Sequence, residues 1–251
     1  MNRLILLLVF AAVSFPSHAA PVPDLTELEA MAVRFAPVEI SADISQLPGG
    51  ERQALAKLVQ AGLIMDALFL RQVWAGNESL LLGLIKDQTP IGKARLHYFL
   101  INKGPWSRLD HNKAFVPGVP GKPAEANFYP AGSSKNQIED WLETLPAPER
   151  SKASGFFSTI RHSAGAGTGD FFANPYSVEY QGELAFAAKL LREASALTSQ
   201  PTLKTFLAKR AEAFLSNDYF DSDIAWMDLD SSIEPTIGRR RSQSVSTSTT
   251  L

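Results

Sequence analysis

The sequence predicts a mainly α protein: a multi-helix framework with a few short extended segments. Three observations predict it. Apolar residues recur three and four positions apart through most of the stretch from Asp24 to Leu215. Cap residues and prolines stand where those runs begin. No internal repeat divides the chain, so one framework accounts for its length.

The elements follow in order. Asp24–Phe35 has helical spacing through Leu25, Leu28, Met31, Ala32 and Phe35, with Asp24 as N-cap. Pro48-Gly49-Gly50 breaks the chain. Glu51–Trp74 is the strongest helix, with Leu55, Leu58, Val59, Ile64, Leu68 and Val73 on its apolar side. Its second half is apolar nearly all round, which predicts burial on several sides. Gly76-Asn77 ends it. Ser79–Lys86 is a shorter helix, and Pro90 starts another through Ile101. Gly104–Pro130 is rich in Pro and Gly and carries Trp106, Phe115, Phe128 and Tyr129, so it reads as a connection pinned to a surface or a cleft. Ser134 and Gln137 form a capping box for a helix over Ser134–Leu145. Pro148–Phe157 is a further helical candidate. Ser163–Asp170 is glycine-rich; it fits neither phosphate-loop pattern, no clear strand precedes it, and it reads as a flexible turn. Phe171–Ser177 reads as extended. Glu179–Leu197 and Thr202–Leu215 are helices joined at Thr198–Pro201.

Both ends differ from this body. Met1–Ala20 reads as a secretory signal peptide: Arg3 is the positive region, Leu4–Val13 the apolar run, and Ser17-His18-Ala19 the cleavage site, which places the signal at 1–19. An uncleaved anchor is the alternative. No later segment reads as a membrane span, so a soluble exported protein is expected, periplasmic in a bacterium or secreted. From Arg239 the chain becomes three arginines followed by Ser and Thr, and 239–251 reads as a disordered, foreign tail; a natural disordered terminus is the alternative. The expected folded part is 20–238.

Composition narrows the chemistry. The chain has no cysteine, which excludes disulfides, thiol catalysis and thiolate metal sites. The formal net charge is −2, and the basic residues of the two ends leave the body more acidic still. That argues against a nucleic-acid footprint. His97, His111 and His162 lack metal-ligand spacing, so no metal ligands are assigned. No GxSxG elbow is present and no catalytic residue is assigned. Asp228, Asp230, Ser232 and Glu234 alternate like the start of a calcium loop, but Ile233 and Arg239 stand where that loop needs glycine and a carboxylate. A carboxylate such as Glu234 beside a cleft can hold a free amino terminus by charge-assisted hydrogen bonds.

Ser232-Ile233-Glu234-Pro235-Thr236-Ile237-Gly238 is similar to a segment of the dipeptidyl-peptidase III family of zinc metallopeptidases. Further resembling segments are Phe35–Val38, Phe69–Trp74, Tyr98–Trp106, Asn127–Pro130, Glu179–Gly182 and Phe214–Asp218, in the manner of that family's prokaryotic or exported branch. The resemblance covers Arg34 to Gly238. It implies an incomplete part of a two-lobed zinc peptidase that removes dipeptides from the N-termini of short peptides. It implies a zinc held by a downstream HExxGH motif and a later glutamate. Glu234 matches the family residue that anchors the substrate amino group. Thr236 stands where many members carry tyrosine, so both are candidate substrate-binding residues. This chain lacks HExxGH, so no bound zinc and no catalysis by the chain alone are expected. A framework cut from its partner elements should also expose apolar surface. The competing expectations are a non-catalytic periplasmic peptide-binding module and a helical exported protein whose resemblance is ancestral only.

Overall fold

A computed structural model describes residues 22–163 and 170–238. The expected signal region, the core of the glycine-rich loop and the tail from Arg239 lie outside the described residues. The fold is mainly helical, as expected.

The first half is built on helices α1 (Leu25–Ala32), α2 (Gly49–Val73), α3 (Asn77–Lys86) and α4 (Pro90–Asn102). Local chemistry explains their starts. Asp24 and Glu27 form a reciprocal capping box at α1. Thr89 caps α4 and Pro90 occupies its first turn. The proline- and glycine-rich connection then forms a two-residue hairpin, β1 (Trp106–Ser107) and β2 (Lys113–Ala114), around a 3-10 turn. Its aromatic residues are indeed pinned: Trp106, Phe115 and Phe128 are buried. Helices α5 (Lys135–Thr144) and α6 (Ala147–Ala153) lead into a second antiparallel hairpin, β3 (Ser158–His162) and β4 (Phe171–Pro175). The predicted Ser134–Gln137 capping box is present.

Helices α7 (Tyr176–Glu179), α8 (Gln181–Leu197), α9 (Pro201–Ser216) and α10 (Phe220–Met227) complete the chain. Asn217 closes α9 in the left-handed region, at φ 67°. Its side chain accepts from Ser177 N and donates to Phe157 O.

Three apolar clusters hold the elements. The largest joins α2, α8, α9 and α10 through Leu58, Leu68, Leu184, Leu191, Phe206 and Phe214. The second joins α1, α3 and α4 to the first hairpin through Leu28, Leu84, Tyr98, Phe99 and Phe115. The third packs α5 and α6 on the β3–β4 hairpin through Ile138, Ala153, Ile160 and Phe171. Helix α2 is the shared spine: Ala54, Leu58, Ala61 and Leu68 enter the first cluster and Leu70 the second. At 25 residues it is about 37 Å long.

Several expectations are corrected. Gly49 and Gly50 do not break the chain; they form the first turn of α2. A Cβ on Gly50 would lie 2.6 Å from Leu197 O, so glycine admits the close approach of α8. The second half of α2 is not buried all round: Leu63 is exposed beside buried Leu68. This helix is long and apolar enough to cross a membrane by length and composition, which the sequence reading missed. Here its buried stripe feeds the two clusters, and Lys57 and Asp66 on its flanks pair with Glu193 and Lys103. A strand, β3, does precede the glycine-rich loop. The loop therefore joins antiparallel strands, whereas a phosphate cradle opens a helix. The expected helix from Glu179 is broken at Tyr180, whose φ −122° and ψ 33° leave the helical region. Helix α10 was not anticipated.

Polar groups tie the clusters together. Arg161 donates from Nε and Nη2 to Glu179 Oε1 at 3.2 and 2.6 Å, and Asn174 donates to Glu179 Oε2 at 2.6 Å. Arg71 donates to Glu179 O at 2.9 Å and to Glu183 Oε1 at 2.7 Å. Its guanidinium lies 4.9 Å from the Tyr180 ring centre. Burial pushes the Tyr180 hydroxyl above the ordinary tyrosine pKa.

Glu51 forms a second node. It is buried and accepts from Thr198 Oγ1 at 2.7 Å, Ser199 N at 2.8 Å and Ser199 Oγ at 3.0 Å. It thereby fastens the start of α2 to the α8–α9 joint. Burial raises its carboxyl pKa, and these donors together outweigh burial, so the net shift is downward.

Two predictions follow from these nodes. Because the folded Glu51 pKa is depressed, its stabilisation is present above the unfolded value and is lost as pH falls through the folded one. Glu51→Gln should cost about 2 kcal/mol at neutral pH. Urea denaturation across the acid range should show that difference shrinking as Glu51 protonates; a constant difference would sink the assignment. Secondly, Glu179→Ala should cost about 3 kcal/mol by leaving Arg161 partly buried without its carboxylate. Lys103→Ala, which breaks an exposed pair with Asp66, should cost under about 1 kcal/mol. Equal losses in urea midpoints would contradict the hub.

Candidate peptide-binding cleft

The segment 228–238 is laid along α9 by paired side chain–backbone bonds. Thr202 Oγ1 donates to Asp230 O at 2.8 Å and accepts from Asp230 N at 3.2 Å. Gln200 donates to Ser232 Oγ at 2.9 Å and accepts from Ser232 N at 2.7 Å. Ile233 is buried in the large cluster and Ile237 packs against it. These two isoleucines hold the segment at both ends and leave Glu234 and Thr236 exposed.

Beyond Ile233 the segment borders a cleft of ≈ 560 Å³ between α9, α10 and the turn before β3. Phe157, Phe206, Tyr219 and Trp226 give it aromatic walls, and Thr236, Ile237 and Gly238 close one side. Arg210 and Asp223 supply its charge. Arg210 is only 9% exposed. Its guanidinium sits 5.3 Å from the Phe206 ring and 5.5 Å from the Tyr219 ring, and it donates to Asp223 Oδ1 at 2.7 Å. The buried Arg210 Nε has no hydrogen-bond partner among the described residues. Such a site can hold a ligand with an apolar body and a few polar groups.

The structure places the two sequence candidates differently. Thr236 lines the cleft. Glu234 lies two residues earlier, exposed, and is not among the lining residues. Sequence reasoning missed Arg210, Tyr219, Asp223 and Trp226. Arg210 sits on the predicted helix, but nothing local marks it as buried; the turn into α10 that delivers Tyr219 and Asp223 does so.

The described residues do not fit a zinc site. His97 on α4, His111 in the turn between β1 and β2, and His162 on β3 are all exposed. No group of three or more metal-capable side chains occurs among the described residues.

The two members of the charged pair should respond unequally. Asp223→Ala strands a buried guanidinium and should cost about 2 kcal/mol. Arg210→Met keeps an apolar body between the two rings, leaves a half-exposed carboxylate, and should cost under about 1 kcal/mol. Thermal melts of both variants test this, and the reverse order would contradict the packing described.

No protein-family model matches the chain. Among curated proteins it is 36% identical over 252 residues to Nudix hydrolase 3 of Arabidopsis thaliana, a match covering 82% of this chain and 32% of that protein. Among solved structures it matches dipeptidyl-peptidase III from Corallococcus sp. strain EGB with a TM-score of 0.83 and 60% identity, covering 87% of this chain and 40% of that one. DPP III from Caldithrix abyssi matches with a TM-score of 0.75 and 40% identity, covering 80% and 37%. The chain thus spans about a third to two fifths of these relatives.

Proposed function

We propose that this chain, a relative of dipeptidyl-peptidase III in sequence and fold, supplies framework and one wall of the peptide cleft of a zinc-dependent peptidase. That enzyme class removes dipeptides from peptide N-termini. The observation that carries the reading is the likeness, at high identity and across most of this chain, to the Corallococcus enzyme. The Nudix name of the Arabidopsis relative is not carried over. That match spans under a third of its protein, whereas both structural matches bear the peptidase name.

Within this reading Glu234 anchors the substrate's free amino group. Its exposure, and the isoleucine-pinned segment that presents it beside the cleft, support the role. Thr236 contributes a hydroxyl at the cleft wall. Zinc, where present, would activate the attacking water, and the described residues do not fit it. The signal-like N-terminus supports export to the periplasm or the medium.

The purified chain with added zinc should release no dipeptide from a tetrapeptide carrying a free amino terminus; zinc-dependent release would overturn the framework reading. A second reading, a non-catalytic peptide-binding module, is favoured by the closed apolar clusters around α2. Calorimetry with the same tetrapeptide separates the two. Measurable affinity that falls about tenfold on Glu234→Gln, roughly one lost charged hydrogen bond, supports the module and the anchor. Affinity unchanged by Glu234→Gln removes the anchor.

A further inference from the structure

The stretch between α1 and α2 carries a pattern that the described fold does not use. Val38, Ile40, Ala42 and Ile44 are apolar, and Glu39, Ser41, Asp43 and Ser45 are polar. A strict period of two over eight positions is the signature of a half-buried strand. Three of the four apolar positions are β-branched, which fits a pleated surface. A solvated linker has no reason to carry this alternation.

In the structure the stretch belongs to no ladder. Both hairpins among the described residues are formed by other segments. Residues 36–46 are all exposed, with Val38 at 75% and Ile40 at 93%. Its two ends are nevertheless anchored. On one side Arg34 bonds Asp110 and Tyr98. On the other, Leu47 packs on the large cluster, Leu47 N bonds Ile44 O, and Arg52 bonds Ser45 O. Residues 38–44 lie exposed between these fixed points and belong to no helix or ladder, and the chain turns at Ser45, whose N bonds Asp43 Oδ1. An exposed stretch outside any ladder is what strand addition uses.

We propose that residues 38–45 form an edge strand that pairs with a β-strand from the portion of a dipeptidyl-peptidase III-like protein that this chain does not span. The inference rests on the functional reading above. Well over half of each solved relative lies outside the match, which leaves ample chain to supply the partner. The partner strand has a β-branched or aromatic face for Val38, Ile40 and Ile44, and a basic or hydroxyl-bearing face for Glu39 and Asp43. A second copy fits less well. Parallel in-register pairing sets Glu39 on Glu39 and Asp43 on Asp43, and antiparallel pairing about Ser41 sets Glu39 on Asp43.

The test is amide hydrogen exchange on two proteins: this chain, and a chimera in which it replaces the matching part of the Corallococcus peptidase. Exchange across 38–45 should be fast in the chain alone and at least about tenfold slower in the chimera. Ile40→Asp should restore fast exchange in the chimera and leave the melt of the chain alone unchanged, since Ile40 is exposed there. A folded, active chimera whose 38–45 amides exchange as fast as those of the chain alone overturns this inference and leaves the functional reading standing. A chimera that neither folds nor cleaves peptide overturns both. Slow, concentration-dependent exchange in the chain alone assigns the strand to a second copy and overturns the proposed partner.

Discussion

The carboxylate of Glu179 is the contact on which the arrangement of elements depends. One oxygen takes both donors of Arg161 from β3, and the other takes Asn174 from β4. The backbone oxygen of the same residue takes Arg71 from α2. Spine helix, hairpin and the α7–α8 corner therefore meet at one residue. The corner itself is a consequence. Tyr180 leaves the helical region, its ring is buried under Arg71, and the chain restarts as α8 with its apolar face toward α2. Partly buried and many-partnered, this hub differs in kind from exposed pairs such as Arg192–Glu212, which are weak in water.

The polar connections extend outward from that hub. Asn127 bonds the carbonyls of Arg71 and Gln72 at the end of α2 with its side chain and backbone, at 3.0 and 2.9 Å. Arg161 reaches Asn127 O, and Ile160 N bonds Phe128 O. The long proline-rich connection is thus stitched to both the spine and the hairpin, which explains why its aromatic residues are buried despite its lack of periodicity. The cleft joins the same framework through Phe157, whose ring meets Tyr176, which in turn meets Tyr180. Its position follows from α9 and from the Asn217 turn that folds α10 back on it.

Helices with local start signals were legible in the sequence. Asp24 and Ser134 cap the elements they precede and Pro90 opens α4, because such signals are decided within one turn. Features decided by distant partners were not. Gly49 and Gly50 read as breakers, yet the approach of Leu197 makes glycine necessary inside a helix. The strand Ser158–His162 has no alternation of its own; its first three residues are all buried between β4 and α6. Tyr180 interrupts the expected helix where its buried ring meets the partly buried Arg71 guanidinium, a partner more than a hundred residues away. At the cleft, Thr236 drew notice only as a departure from a family motif, whereas Arg210 required knowing which face of α9 meets α10.

The division of α2 between two clusters sets an order of events during synthesis. The cluster that takes Leu70 is complete once Val119 has emerged. The cluster that takes Ala54, Leu58, Ala61 and Leu68 needs partners as late as Phe214 and Ile233. Between Val119 and the end of α8 at Leu197, the spine is docked at one end and carries an uncovered apolar stripe at the other. Closing so long a loop is entropically slow relative to local helix formation. The chain is most exposed to misassociation in that interval, and a chaperone that recognises apolar helical stripes would find its target there and lose it when α8 docks.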